Sequence, residues 1–162
     1  MRPCLRFMLV LLMVWLLVGC DHVSKHLARN NLADGSVVPV AGSAFDLRYV
    51  ENRDVAFNLL RWVPPGTRTP LILAIGACGV LALGALLFAR RAGGRTQTVA
   101  LSLLLAGALG NLIDRAWHGY VVDFLHVPHW PVFNVADVYV TIGVAALVLF
   151  GRTLSQPRSA PP

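Results

Sequence analysis

The sequence predicts an all-α membrane protein with four transmembrane helices and a small β-containing segment outside the membrane. Of its 162 residues, 56% are hydrophobic and only 14% are charged, and the mean hydropathy is +0.64. That composition leaves too little polar surface to cover a water-soluble globule. Four apolar stretches approach the roughly 20 residues that a helix needs to cross a hydrocarbon core. None of them alternates with a period of two, so helices are expected and spanning strands are not.

The first two spans are expected at about 7–26 and 70–89. The first is interrupted near its end by Asp21, and the second carries no charge. The long segment between them, 27–69, is expected to form an extracytoplasmic loop.

The last two spans are expected at about 97–115 and 133–150. The third ends against Asp114 and Arg115, and the fourth carries a single charge, Asp137. Together the spans form one domain over 1–152, because the chain is too short for more.

Basic residues are concentrated in three segments that contain no acid and that four alternating spans would place on one side: Arg2, Arg6, Arg90, Arg91, Arg95, Arg152 and Arg158. Positively charged short loops stay in the cytoplasm, so both termini are predicted inside, including a Pro- and Ser-rich disordered tail at 153–162. The net charge of +6 is thereby explained by basic loops that set the orientation of the spans in the membrane. No nucleic-acid partner is expected.

The N-terminal segment has an alternative interpretation as a lipoprotein signal peptide. Leu17-Val18-Gly19-Cys20 resembles a lipobox after a short basic and apolar stretch. We favour a retained helix, because a signal peptide normally introduces an exported polar domain and this one precedes three more spans. The three cysteines, which include Cys4 and Cys78, indicate neither a disulfide framework nor a zinc site.

The acidic residues are predicted to converge near the outer leaflet. In the expected topology Asp21, Asp114 and Asp137 lie near the outer ends of their helices, and Asp123 lies in the outer connection. A charged side chain at membrane depth costs a few kcal/mol, so these acids indicate a functional site. A proton relay or transporter is the alternative, although a relay should distribute its carboxylates through the depth of the membrane.

Two groups of residues along the helices allow structural interpretations. Asp21 and Lys25 are spaced i,i+4, as expected for an ion pair. Asn111, Asp114 and Arg115 share one helix face, which either joins helices or holds substrate carbonyl oxygens. Small residues that admit a neighbouring helix lie beside that face: Ala106, Gly107 and Gly110.

Asp137 differs from these acids because no basic residue lies within a helical turn of it, and Asn134 is at i−3 on the same face. Asp123 is close enough in sequence to be its partner. Two carboxylates in a low-dielectric site cannot both ionise readily, so one keeps a proton, which is the division of labour of an aspartic protease. An alternative metal site would join Asp123 to outer-loop histidines, namely His118, His126 and His129.

The outer segment between the first two spans contains a short strand pattern. Phe45, Leu47 and Tyr49 alternate with polar residues over 44–50. A small sheet is therefore expected above the outer end of the bundle, with a solvated loop as the alternative.

Five short sequence motifs, called blocks here, occur along this chain in the same order as in the lipoprotein signal peptidases. In these blocks the chain resembles that family, the signal peptidase II family of bacterial membrane aspartic enzymes. The blocks are Asp21-x-x-x-Lys25, Asn52 through Ala56-Phe57, Gly110-Asn111-x-x-Asp114-Arg115, Val121-Val122-Asp123-Phe124 and Phe133-Asn134-x-Ala136-Asp137. The resemblance covers nearly the whole chain apart from its tail.

The resemblance implies that Asp123 and Asp137 are the catalytic dyad, which activates a water. The substrates would be diacylglyceryl-modified prolipoproteins, cut just before the lipidated cysteine. Supporting and substrate-binding positions would be Asn52, Asn111, Arg115, Asn134, Asp114, Asp21 and Lys25.

The resemblance further implies a multi-pass protein of the bacterial inner membrane, with its active site near the outer leaflet and in contact with lipid. We expect it to act as a monomer, without metal or cofactor, and to be inhibited by globomycin-type cyclic peptides.

One block departs from the family pattern. The family usually reads Asn-x-Gly-Ala-Ala-Phe, whereas this chain has Asp54-Val55 in place of Gly-Ala. Aspartate adopts a positive φ less easily than glycine, so the turn at Asp54 is expected to differ.

Overall fold

The structure is a computed structural model that describes residues 3–40, 44–54, 62–88 and 94–150. It contains four helices, α1 (Pro3–Leu32), α2 (Pro65–Phe88), α3 (Arg95–His118) and α4 (Val135–Phe150). Three strands accompany them, β1 (Val37–Val40), β2 (Phe45–Asn52) and β3 (Val121–His126). The predicted tail, Val55-Ala56-Phe57 and the basic residues at 2, 90, 91, 152 and 158 lie outside the described residues.

Three helices in the described part of the chain are long and apolar enough to cross a membrane: Cys4–Leu32, Gly66–Phe88 and Arg95–His118. The helix α4 is also apolar but has only 16 residues. The chain is therefore a multi-pass membrane protein that is mostly helical.

The helix α3 packs against the other three helices. Its small residues make this possible, as the sequence predicted: a Cβ built on Gly107 would lie 2.5 Å from the carbonyl oxygen of Ala136 in α4. On the facing side, a Cβ on Gly143 would lie 2.9 Å from the carbonyl oxygen of Ala100. Close backbone approach between α3 and α4 fixes the relative positions of the residues they carry.

The helix α1 extends beyond its expected end at residue 26 and continues to Leu32. The additional turns pack against the sheet, where Ala28 and Leu32 form a cluster with Val122 and Phe124. Apolar residues at i and i+4 put both side chains on one face of the helix. Asp21 consequently lies within the helix and not near its end.

The three strands form an antiparallel sheet in the order β1-β2-β3. The predicted strand at 44–50 corresponds to β2, whereas β3 was not predicted. Its sequence, Val-Val-Asp-Phe-Leu-His, has one acid in an apolar run and does not alternate, and its first four residues are buried. The sheet therefore joins the two connections that follow α1 and α3, and it brings Asn52 beside Val121.

Candidate active site

Asp123 is held in β3 by two asparagine side chains. It is 2% exposed. Its Oδ1 accepts a hydrogen bond from Asn134 Nδ2 at 2.7 Å, and its Oδ2 accepts one from Asn52 Nδ2 at 2.9 Å. Strand pairing provides the second contact, because β2 and β3 are hydrogen-bonded neighbours whose register places Asn52 opposite Val121. Both oxygens of the carboxyl group are thus held by neutral donors.

Asp137 is positioned by the start of α4. Asn134 precedes the helix, and its Oδ1 accepts from the Asp137 backbone N–H at 3.0 Å. In return, Asp137 Oδ2 accepts from the Asn134 backbone N–H at 3.2 Å. This reciprocal pair is a capping box. The sequence interpretation placed Asn134 inside the helix on the face of Asp137, but Asn134 caps α4, which begins at Val135.

Asn111 connects the two aspartates through α3. Its Nδ2 donates to Asp137 Oδ1 at 2.9 Å, while its Oδ1 accepts from Asn134 Nδ2 at 3.2 Å. The same Oδ1 also accepts from Lys25 Nζ at 3.0 Å. Two donors on the oxygen fix the orientation of the amide, so its N–H must point at Asp137.

Lys25 forms an ion cluster beneath the aspartate pair. Its Nζ lies 2.7 Å from Asp21 Oδ2 and 2.9 Å from Asp114 Oδ2, and all three side chains are buried. Asp21 also accepts from the backbone N–H of Ala136 at 2.9 Å. The predicted Asp21–Lys25 ion pair is present, but Asp114 has Lys25 as its partner, and not Arg115 beside it in sequence. Asp21 and Asp114 therefore join α1, α3 and α4.

Arg115 projects toward the end of β2. Its Nη2 donates to the carbonyl oxygen of Asp54 at 2.9 Å, and its Nη1 donates to the carbonyl oxygen of Asn111 at 3.4 Å. Asp54 donates its own backbone N–H to Asn52 Oδ1 at 3.1 Å. Among the described residues other than glycine only His129 has a positive φ, so the turn at Asp54 does not use the left-handed conformation.

A cavity of about 310 Å³ opens over this network. Its polar lining includes six of the predicted site residues and Thr141; the six are Asn52, Asn111, Arg115, Asp123, Asn134 and Asp137. Its apolar lining includes Val121, Trp130, Phe133 and Val140. A mixed cavity with converging polar groups is the usual form of a site that binds a largely apolar ligand.

Burial raises the pKa of Asp123 from its ordinary value to about 6. The hydrogen bond from Asn52 favours the ionised form and opposes that shift, while the charge of Asp137 adds to it. Asp123 is therefore the carboxyl of this pair that binds a proton more readily than usual.

Two of the three histidines considered as metal ligands contact other carboxylates. His126 Nδ1 lies 2.9 Å from Asp46 Oδ2, and His118 Nδ1 lies 4.0 Å from Asp114 Oδ1. Hydrogen bonds from Arg48 and His126 lower the pKa of Asp46 to about 2. Asp123 is bonded to amides, as described above, and not to these imidazoles.

The structure thus joins all nine predicted site residues in one network of hydrogen bonds and ion pairs around Asp123 and Asp137. Asp21 and Asp114 belong to it through their ion pairs with Lys25. The sequence interpretation did not find the capping box, although an asparagine three residues before an acid at a helix start is its signature. It also missed the contact between Asp54 and Arg68, which lies 14 residues further along the chain.

The comparisons with known proteins agree with this architecture. A family model described as signal peptidase (SPase) II matches residues 13–152. A lipoprotein signal peptidase of Moorella thermoacetica is 38% identical over 137 residues, which cover 85% of this chain and 88% of that protein. One from Clostridioides difficile is 38% identical over 145 residues, which cover 88% and 94%.

Solved structures show the same fold. A bacterial membrane enzyme determined by the in meso method at 2.3 Å resolution superposes with a TM-score of 0.79 and 28% identity, over 94% of each chain. The fold and the cavity define a membrane protein with a polar site at one end of its helices. The chain belongs to the signal peptidase II family.

Proposed function

We propose that this protein is a membrane-embedded aspartic endopeptidase that removes the signal peptide from diacylglyceryl-modified prolipoproteins by cutting before the lipidated cysteine. The observation that carries the proposal is the pair Asp123 and Asp137, held by three asparagine amides in a cavity at one end of the helices. The relatives named lipoprotein signal peptidase support the substrate class.

In the proposed reaction the two carboxyls share one proton. Asp123 keeps it, because burial raises its pKa to about 6. Asp137 then acts as the base of the pair. The ionised carboxylate takes a proton from a water molecule, whose oxygen attacks the scissile carbonyl. Protonated Asp123 donates to the carbonyl oxygen, and Asp137 passes the proton it took from water to the leaving nitrogen as the C–N bond breaks. The carbonyl re-forms as its hydroxyl returns a proton to Asp123, which restores the pair. Any measured pKa belongs to the pair.

The neighbouring residues have separate roles in this proposal. Asn52, Asn111 and Asn134 orient the two carboxyls, and Arg115 faces the cavity as a donor for substrate carbonyl oxygens. Lys25 fixes the Asn111 amide, and Asp21 and Asp114 neutralise the buried charge of Lys25. The reaction as proposed uses only carboxyls and water, with no cofactor or metal.

We further propose four transmembrane spans in the bacterial inner membrane, both termini in the cytoplasm, a monomeric enzyme, and inhibition by globomycin-type peptides. With this orientation the cavity opens toward the outer leaflet, where the lipid-anchored end of a substrate resides. The apolar part of its lining, which includes Val121 and Phe133, suits that substrate.

The alternatives have less support. Cleavage before Cys20 would remove Val14 and Val18, which belong to the buried core with Leu101 and Leu105 of α3. A lipoprotein anchored at Cys20 would lose that core. A transporter or proton-relay subunit is disfavoured by membership in a peptidase family.

A cleavage assay tests the proposal. Purified full-length protein in lipid nanodiscs is given a diacylglyceryl-modified prolipoprotein, and the released signal peptide is measured by mass spectrometry. We expect Asp123→Asn and Asp137→Asn each to lower kcat by at least about a thousandfold, as for loss of an acid or base. Substrate lacking the lipid serves as the control. Full activity in either variant would exclude the proposed dyad.

A further inference from the structure

The backbone of Asp54 contacts two residues that line the cavity, Asn52 and Arg115. Its backbone N–H donates to Asn52 Oδ1, and Asn52 Nδ2 in turn donates to Asp123. Its carbonyl oxygen accepts from Arg115 Nη2. A movement of the Asp54 backbone, which carries both groups, would therefore change the orientation of Asn52 and the position of Arg115 together.

The side chain of Asp54 is attached to another element. Asp54 Oδ2 lies 3.4 Å from Nη1 of Arg68, in the first turns of α2. Arg68 also donates from Nη2 to the carbonyl oxygen of Val63 at 3.0 Å. Asp54 is 6% exposed, so its carboxylate is largely shielded from solvent.

A shielded carboxylate requires a partner, because burial of an unpaired charge is costly. Arg68 provides that partner from a helix, whose backbone is more rigid than a loop. The contact links the end of β2 to the start of α2, on either side of the segment 55–61.

We propose that the Asp54–Arg68 ion pair positions the Asp54 peptide and thereby holds Asn52 and Arg115 in place at the active site. This inference rests on the proposed peptidase function. It assigns Asp54 and Arg68 as positioning residues, at a point where the family pattern usually has glycine. Glycine has no side chain, so a glycine at this position could not form an ion pair that holds the turn in place.

The test compares Asp54→Asn, Arg68→Gln and the double variant in nanodiscs, using the lipidated substrate. We expect each single variant to lower kcat by about tenfold with KM changed by less than about twofold, because the reacting groups are misplaced while the apolar contacts remain. The double variant should match the singles. Asp54→Gly should show the same loss, and Arg68→Lys should restore most of kcat.

The pH profile provides a readout that a purely structural role would not move. Loosening the Asn52–Asp123 hydrogen bond favours protonated Asp123, so the alkaline limb of kcat should shift to higher pH in Asp54→Asn. Two charged groups that influence Asp123 from other elements, Asp137 of α4 and Lys25 of α1, are unchanged in this variant. Arg115 of α3 also interacts with Asp123 through its charge, and its displacement would raise the pKa of Asp123 in the same direction. The matched control is Glu51→Gln, which removes the ion pair between Glu51, near the end of β2, and the exposed Arg53 just after that strand.

Losses that multiply in the double variant, full activity of Asp54→Gly, or an equal loss in Glu51→Gln would overturn the inference. A double-mutant cycle of thermal unfolding uses the wild type, Asp54→Asn, Arg68→Gln and the double variant. It tests the coupling of Asp54 and Arg68 independently of the proposed function. If the wild type cleaves the substrate, while the variants have the same kcat and their Tm changes are additive, the proposed peptidase function stands and the proposed role of the ion pair is rejected. Wild type that does not cleave rejects the proposed function, and the Tm cycle then decides whether Asp54 and Arg68 are coupled.

Discussion

At the level of single residues, the site is built from neutral donors around acidic groups. Each oxygen of Asp123 and Asp137 accepts one hydrogen bond, three from asparagine side chains and one from a backbone N–H. Amides do not titrate over the working range of pH. The carboxyls can therefore exchange a proton while the groups that hold them keep their charge.

The hydrogen bond from Asn52 gives a pH prediction. It favours the ionised form of Asp123, so its removal raises the pKa of Asp123 above about 6. Activity that needs protonated Asp123 is lost as pH rises through that pKa. In Asn52→Ala the alkaline limb of the kcat profile should thus move to higher pH, in addition to a general loss of rate.

Pre-steady-state cleavage measured between pH 4 and 9 would show this shift. Arg53→Gln is the matched control, because its side chain pairs with Glu51 at the surface. An alkaline limb that stays in place, or moves to lower pH, would contradict the role assigned to Asn52.

Much of the residue-level prediction came from spacing and from the family resemblance. The blocks around Asp123 and Asp137 singled out two acids that line the cavity, and the i,i+4 spacing predicted the Asp21–Lys25 pair. The partner of Asp114 was missed because Lys25 lies on another helix. Contacts of this kind depend on how helices pack, which local spacing does not encode.

At the level of elements, helix contacts and strand pairing bring the site together. The helix α3 carries Asn111 and Arg115, α4 carries Asp137, and β3 carries Asp123. Close approach of the helices depends on glycine. A Cβ on Gly110 would lie 2.5 Å from Asp21 Oδ2, inside the ion cluster.

Gly110→Ala should therefore lower the Tm by about 2–12 °C, since even one methyl group in a tight contact costs about 1–3 kcal/mol. The control is Gly79→Ala in α2, where a Cβ would meet nothing within 4 Å. Alanine there should leave the Tm unchanged or slightly raised, because it favours helix more than glycine does. Equal Tm values for the two variants would show that α1 and α3 tolerate a wider separation.

The ion cluster that joins α1 to α3 gives a second prediction at this level. Lys25→Met leaves Asp21 and Asp114 without their cation in a buried setting, which costs about 3–5 kcal/mol. It also releases the Asn111 amide, so both Tm and kcat should fall sharply.

Arg53→Gln is again informative for comparison, because it breaks an exposed ion pair whose Arg53 side chain is 73% exposed. Such pairs contribute about 0–1 kcal/mol. A Lys25→Met protein as stable as Arg53→Gln would mean that the cluster carries little of the folding free energy.

The sheet shows what sequence patterns resolve and what they miss. Alternation in 44–50 predicted β2 because one face of that strand is more polar than the other. The strand β3 pairs with β2 and contacts α1 and α3, and its first four residues are buried, so its apolar residues do not alternate. A short apolar run of this kind cannot be distinguished from the continuation of a helix.

At the level of the whole molecule, the proposed topology depends on α4. Its 16 residues extend about 24 Å at 1.5 Å per residue, less than a typical hydrocarbon core. A fourth span therefore requires that the apolar segment be extended or that the bilayer be thinner around it.

Cysteine labelling tests the topology. In a variant with Cys4, Cys20 and Cys78 replaced by alanine, a single cysteine at Ser155 should react with a membrane-impermeant maleimide only after the membrane is permeabilised. A cysteine at the exposed Arg53 should react in intact spheroplasts. Labelling of both positions from outside would place the C-terminus outside and leave three spans.

The asparagine network also has a consequence for the order in which this protein matures. Asp123 depends on Asn52, 71 positions earlier in the chain, and the Asn111 amide depends on Lys25, 86 positions earlier. A chain that is still being inserted has its early segments in the bilayer before Asp123 and Asp137 have been synthesised. Proteolytic activity would then arise only when the last helix docks, so a partly assembled molecule would have no complete active site.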